Sequence, residues 1–460
     1  MMAMQLSEAA RVLSARQIGA DVGFAGVSTD TRTLAQGNLF VALTGPHFDG
    51  HDYVVQAAQR GAAAAAVSRE LDAGLPMIRV PDTRRALGQL AAHWRSQFAI
   101  PVVAVTGSNG KTTVKEMVAA ILGRRGPVLA THGNLNNDIG VPLTLAGLAP
   151  EHQGAVIEMG ANHPGEIACL AALAEPTVAV ITNAGAAHLE GFGSLQGVAQ
   201  AKGEIFSGLR QDGIAVVNAD DAFADQWRKT AHPHRVIDFG LAASAQVRAA
   251  WQSEGIGARL DISFQGDSVA LRLPLPGRHN VMNALAATAV AVALGMDLEE
   301  VAGALASMPG VRGRLQVKER CDGLRVIDDT YNANPASLHA ALDVLAAMPG
   351  ERWLILGDMA ELGEEAESWH REAAQAARLA GVARLYGLGE LGAVAAHAFG
   401  AQGSAFATRE QLETALAEAA GPGVTLLVKG SRRMGMEHVV QALVDGANAG
   451  AGPREDCRTC

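Results

Sequence analysis

Val102-Val103-Ala104-Val105-Thr106-Gly107-Ser108-Asn109-Gly110-Lys111-Thr112-Thr113 ends an apolar run in a glycine-bracketed turn, then a lysine and two hydroxyls. Val114, Met117, Val118, Ile121 and Leu122 follow at i, i+3, i+4, i+7 and i+8, which is one apolar helix face, and Gly123 suits its end. Strand, Gly-rich loop and helix N-terminus in this order make a phosphate cradle. Backbone N–H groups point at the anion, and the helix dipole favours negative charge there. The candidate ATP-binding residues are Gly107, Ser108, Asn109, Gly110, Lys111, Thr112 and Thr113; Lys111 reaches the outer phosphates and the Thr112 hydroxyl can ligate Mg²⁺. The common P-loop pattern asks for glycine five residues before Gly110, where Val105 stands, so the loop is a shorter variant. The bland alternative is a tight turn with a surface lysine.

Working outward, 460 residues suggest about three domains, and 49% apolar content supports packed cores. A formal net charge of −10 without a long basic run argues against nucleic-acid binding. No stretch has the length and apolarity of a membrane span, and Met1 to Leu13 lacks a basic segment followed by an apolar one. Cys169 and Cys321 read as buried reduced thiols, and Cys457 and Cys460 as a chance C-x-x-C in a disordered tail, residues 451–460. The expected location is the cytoplasm.

Residues 1–99 mix short elements: a helix over Leu6 to Leu13, a strand over Asn38 to Leu43, a polar loop from Gly45 to Tyr53, and a helix from Arg84 to Phe98. This is a small α/β domain without a phosphate loop. Residues 100–312 alternate strands and helices, which predicts a mostly parallel sheet with helices on both faces; Val247 to Leu275 suits antiparallel strands at one edge. Met308 to Gly313 has linker composition, and alternation resumes over residues 313–450, with Asn334-Pro335 capping a helix. The fold class is therefore α/β in three domains, the last Rossmann-like.

Polar clusters recur just after apolar strands. Val102–Val105 leads to the P-loop, Ala155–Ile157 to Glu158, and Val178–Ile181 to Asn183 and His188. Val326-Ile327 leads to Asp328-Asp329, Leu354–Leu356 to Gly357-Asp358, and Leu426–Val428 to Lys429. Ligands of open α/β sheets bind outside the carboxyl ends of the strands. Two sheets carrying such clusters predict two domains facing each other across a cleft. Thr112, Glu158 and His188 form a hard-cation set, since Mg²⁺ takes few protein ligands plus phosphate and water oxygens. Asn134, Asn136, Asn137 and Asp138 lie in a Gly-bounded loop suited either to turn structure or to hydrogen bonding an oxygen-rich substrate. Asn280 and Asn283 share a helix face and either cap the helix or read an adenine edge. Lys202, taken alone, is an ammonium that cannot ligate a cation.

Together these motifs resemble the Mur ligase family over nearly the whole chain. The resemblance rests on Thr106–Thr113, Gly133–Pro142, Thr182–Gly185 with Ala187–Glu190, Ala201–Glu204, Gly277–Asn283, Asp328–Pro335, Leu356–Gly363 and Val428–Arg432. Ser28 to Arg32 and Asp49 to Asp52 resemble the family's first domain. The shortened P-loop is the family's own form. The resemblance implies a UDP-substrate domain (1–99), a central ATPase domain (100–312) and a C-terminal acceptor domain (313–450). It implies ATP and two Mg²⁺ ions, with a carbamylated Lys202, made from CO₂, joining His188 at the second ion. Arg314 would contact phosphate and Asp329 ribose. Lys111, Glu158, His188 and Lys202 are then the catalytic set. Ser28, Thr29, Arg32 and Asp49 join the Asn-rich loop as candidates for the first substrate; Tyr331, Asn332, Asn334, Lys429 and Arg432 are candidates for the acceptor. The implied reaction is that of the family branch joining D-alanyl-D-alanine to UDP-N-acetylmuramoyl-tripeptide through an acyl phosphate, by a monomer.

Three alternatives stand beside it. One is another amide ligase of the family, against which the uncharged polar run after Asp329 argues. The others are a P-loop protein that switches a partner and a non-catalytic binding module, which leaves Lys111, Glu158, His188 and Lys202 without a purpose.

Overall fold

The computed structural model describes residues 1–185 and 189–445. Its largest sheet is built on Val102–Thr106, buried along its whole length. Gly154–Glu158 pairs with it in parallel on one side and Val178–Ile181 on the other. Val128–Ala130 lies outside Gly154–Glu158, while Ile214–Asn218, Arg235–Gly240 and Val247–Glu254 extend the other side, all in parallel. Gly257–Phe264 and Asp267–Leu273 then add antiparallel, completing nine strands. The antiparallel edge falls where it was expected, because Gly257–Phe264 largely alternates buried and exposed residues while the inner strands are buried throughout.

Side chains of a strand point alternately to opposite faces, and two cores follow. Val103 and Val105 pack with Val114, Met117, Val118 and Ile121 on one face. Val102 and Ala104 pack with Val141, Ile157, Leu170 and Ile205 on the other. Each fully buried Val, Ile or Met side chain contributes roughly 1.5–3 kcal/mol relative to exposure, so the helix Lys111–Leu122 is fastened by its apolar face. After Gly154–Glu158 the chain crosses to the far side of Val102–Thr106. That reversal opens a crevice at the carboxyl ends of three adjacent strands, where the P-loop, Glu158 and Asn183 emerge.

The C-terminal sheet runs Gln316–Glu319, Arg325–Asp329, Val424–Lys429, Glu351–Gly357, Arg384–Leu388, Gly403–Phe406, parallel except for its first pair. Register places Asp329 opposite Lys429 at the strand ends. The helix Pro335–Ala346 begins as its sequence suggests: Asn334 Oδ1 accepts the Ser337 N–H and Pro335 fills the first turn. The N-terminal sheet has five strands, from Arg16–Ile18 to Val27–Ser28. Arg95, on the helix Thr83–Ser96, fastens this unit to the central one by donating to Ala174 O at 2.9 Å and Glu175 O at 3.3 Å. There the carbonyl end of the helix Glu166–Ala174 favours a cation.

Three expectations need correction. Gly45 to Tyr53 is not a plain loop: Thr44–Gly45 pairs with Phe48–Asp49, and a 3₁₀ turn, Gly50–Tyr53, starts from Asp49, whose carboxylate accepts the His51 N–H. Cys169 and Cys321 are exposed rather than buried. The helix around Cys169 buries Ile167, Leu170, Ala171 and Ala174 and leaves position 169 outside that stripe, and Cys321 sits in the turn between two antiparallel strands. Cys457, Cys460 and the proposed tail lie outside the described residues. No helix among the described residues is long and apolar enough to cross a membrane.

Candidate active site

A cavity of 1610 Å³ lies between the strand ends of the central and C-terminal sheets. Its floor is the P-loop. Gly110, at φ +82°, starts the helix, and a Cβ there would collide with Asn283 Oδ1; at Gly107, φ +148°, a Cβ would collide with Thr182 Oγ1. Both glycines are needed for conformation and for close approach. The loop is held from the next strand end. Asn109 N–H donates to Asn183 Oδ1 at 2.9 Å, and Asn183 Nδ2 donates back to Asn109 O at 3.0 Å. Ser108 N–H donates to Asn183 O at 2.9 Å, and Gly185 N–H to Ser108 Oγ at 2.9 Å. Asn183, which the sequence places at a strand end without a role, is the residue that holds this loop. The signal was an amide side chain, able to both donate and accept, beside a loop of backbone groups.

Lys111 Nζ folds back onto Gly107 O at 2.7 Å and Ser108 O at 3.3 Å. Desolvation holds its ammonium below the usual lysine range, opposed by the Glu158 carboxylate. Glu158 is buried; Oε1 accepts from Asn136 Nδ2 at 2.9 Å, and Oε2 has no hydrogen-bond partner among the described residues. A buried carboxylate oxygen without a donor is costly. Lys202 is buried too, and desolvation with the nearby Lys111 charge pushes its amine down to about 7. His188 lies outside the described residues.

The C-terminal unit reaches into the same cavity. Arg314 Nη2 donates to Thr112 Oγ1 at 3.0 Å while its guanidinium stacks on the Tyr331 ring, 4.1 Å from the centroid. Asn334 Nδ2 donates to Asn109 Oδ1 at 2.9 Å, so its amide both caps a helix and bridges to the P-loop. Asp329 and Lys429 are ion-paired with each other, and Lys429 also donates to Asn332 O at 3.0 Å. Both residues line the cavity. Arg432 pairs with Glu437 at 2.9 Å and faces another candidate acceptor residue, Tyr331, at 5.9 Å. His279 is pushed down to about 4, chiefly by burial.

Several other expected ligands have partners within the protein. Asn280 Nδ2 donates to Pro276 O at 2.8 Å and its Oδ1 accepts from Asn283 Nδ2 at 3.2 Å; Gly277, not Asn280, is the helix N-cap. Asn137 Oδ1 accepts from Gly140 N–H at 2.9 Å, and Asp138 pairs with Arg84 at 2.9 Å on the surface. Asn134 and Asn332 line the cavity. Ser28, Thr29, Arg32 and Asp49 do not line it. Ser28 Oγ donates to Asp30 O at 2.9 Å, Arg32 pairs with Asp30 at 2.7 Å, and Asp49 is held at about 2 by hydrogen bonds from His51.

Comparison with known families places these features. The family described as "Mur ligase middle domain" matches residues 105–291, "Mur ligase, glutamate ligase domain" residues 313–432, and "Mur ligase family, catalytic domain" residues 23–95. The chain belongs to the Mur ligase family. Among its relatives is the UDP-N-acetylmuramoyl-tripeptide–D-alanyl-D-alanine ligase of Escherichia coli K12, 47% identical over 447 residues, covering 96% of this chain and 99% of the relative. Two solved Mur ligases share the three-domain fold. MurF from Acinetobacter baumannii superposes with a TM-score of 0.91 at 35% identity, covering 97% of this chain and 99% of that one. MurF from Thermotoga maritima in complex with ADP gives 0.83 at 28% identity, covering 93% and 98%.

Proposed function

We propose that the chain is an ATP-dependent ligase that joins D-alanyl-D-alanine to UDP-N-acetylmuramoyl-tripeptide in peptidoglycan precursor synthesis. The 47% identity to the Escherichia coli ligase over 96% of the chain carries the substrates, and the buried, unpartnered oxygen of Glu158 beside the P-loop, with Arg314 of the C-terminal unit reaching Thr112, carries the ATP chemistry. A buried carboxylate oxygen and a hydroxyl are hard donors that fit Mg²⁺. Thr112 and Glu158 would hold one ion, and His188 with carbamylated Lys202 the second. Bound Mg²⁺ offsets phosphate charge as the γ-phosphoryl group moves.

Lysine carbamylation needs a neutral amine, and an amine brought down to about 7 supplies one near neutral pH. The Lys202 nitrogen adds to CO₂, its proton leaves to solvent, and the carbamate presents oxygen where the ammonium could not. In the reaction a tripeptide carboxylate oxygen attacks the γ-phosphorus of ATP and ADP leaves. Lys111 turns from the loop carbonyls to the phosphates, and the loop N–H groups and Arg314 stabilise the charge that develops. The amine of D-alanyl-D-alanine then attacks the acyl phosphate, an amide forms and phosphate departs. The Asn334–Asn109 contact holds the C-terminal unit over the site, and closure there would keep water from the acyl phosphate.

In this reading residues 1–99 bind the UDP substrate, 100–312 bind ATP and 313–450 receive the acceptor. The protein acts as a cytoplasmic monomer. Arg432 and Tyr331 are the first acceptor candidates, since Arg432, although paired with Glu437, is well exposed while Lys429 is buried in its pair with Asp329. The test is phosphate release from ATP and Mg²⁺ with each substrate omitted in turn. Release that needs both supports the reading; release that needs neither favours an ATP-driven switch.

A further inference from the structure

Lys115 is a buried ammonium that the proposed chemistry does not use. It lies one turn beyond Lys111 on the P-loop helix, among residues whose neighbours Val114, Met117 and Val118 are apolar core. A charge placed there requires partners. It donates to Thr131 O at 2.7 Å and to Glu116 Oε1 at 2.6 Å. Thr131 follows the short strand Val128–Ala130 and opens the Asn-rich loop. Its own hydroxyl accepts the Glu158 N–H at 2.9 Å, and it is buried. Five residues on, Asn136 holds Glu158 Oε1, and Asn136 O accepts the Gly160 N–H at 2.8 Å. Glu158 is thus gripped at its backbone by Thr131 and at one oxygen by Asn136, leaving the other oxygen buried and without a partner at the edge of the cavity.

We infer that Lys115 is a positioning residue: through Thr131 it sets the depth and direction of Glu158 beneath the nucleotide phosphates. The inference rests on the ligase reading in that it takes Glu158 as a cation-holding group. Groups that orient a metal-holding side chain typically change metal affinity or activity by about 10- to 100-fold when removed. Lys115→Met keeps the stem and removes the charge. Thr131→Val removes the Glu158 contact but leaves the carbonyl that Lys115 uses.

The experiment is calorimetric binding of the ATP analogue AMPPNP across a Mg²⁺ titration, with the melting temperature of each ligand-free protein measured alongside. Both variants should need about 10-fold or more Mg²⁺ for half-maximal analogue binding, and analogue affinity without Mg²⁺ should stay near wild type. A variant that melts earlier but keeps the wild-type Mg²⁺ requirement would reduce Lys115 to a structural lysine and overturn the inference. If Lys115→Met fails to fold, Lys115→Arg, which keeps the charge but displaces the donor from Thr131 O, decides by the same criterion. The analogue assay needs neither peptide substrate, so a wild-type protein that binds it yet forms no amide would sink the ligase reading separately.

Discussion

Glu158 and Asp329 occupy the same topological position, the carboxyl end of a parallel strand, one in each sheet. Their surroundings differ. Glu158 has one oxygen held by Asn136 and one without a partner, whereas Asp329 is neutralised by Lys429, its register partner on the next strand. Asp358, a third strand-end carboxylate, accepts the Leu391 and Gly392 N–H groups and caps a helix. Position brings a carboxylate to the cleft, and its partners decide whether it can do chemistry there. Glu158 keeps one oxygen without a partner, while Asp329 and Asp358 are bound into the scaffold of the C-terminal sheet.

That contrast has measurable consequences. Removing one side of the buried pair, with Lys429→Met, should cost about 3–5 kcal/mol by leaving Asp329 buried and unpaired. Denaturant unfolding followed at Trp353, in the same sheet, checks this; adding Asp329→Asn should recover part of the loss. Glu158→Gln should do the reverse, lowering phosphate release about 10²–10³-fold while leaving stability near wild type, since the buried, unpartnered position is then uncharged. A Glu158→Gln protein that melts much earlier at unchanged turnover would place Glu158 with the scaffold carboxylates.

Lys202→Ala should remove most activity, with partial recovery in small carboxylates; full activity without them would end the carbamate reading. His279 gives a pH signature between the sheets. Its folded value, about 4, lies below the ordinary 6.5. Between those values the unfolded chain binds the extra proton, so stability should fall as pH drops from 6.5 to 4 and level off below. His279→Gln should flatten that slope in urea titrations. The smallest effect belongs to Asp138, whose surface pair with Arg84 is worth under about 1 kcal/mol; Asp138→Ala should leave the melting curve nearly unchanged.

The sequence carried the strands, the P-loop and the strand-end clusters because hydrophobic periodicity and loop chemistry are local. The period of the helix Glu166–Ala174 also held the exposure of Cys169, had its stripe been followed. What local reading missed is partnership. Asn334 meets Asn109 across 225 positions and Arg314 meets Thr112 across 202. Each residue type there allowed a ligand role, and distant packing assigned a structural one, wholly or in part. Asn136 and Asn137 show the same division within one loop, the first turned to Glu158 and the second to a helix start.

The reaction itself is tested most directly by isotope transfer. UDP-N-acetylmuramoyl-tripeptide labelled with ¹⁸O in its reacting carboxylate, incubated with ATP, Mg²⁺ and D-alanyl-D-alanine, should yield phosphate carrying one ¹⁸O, because the bridging oxygen of an acyl phosphate leaves with phosphorus. Amide product accompanied by unlabelled phosphate would contradict carboxylate activation by phosphoryl transfer in this cleft.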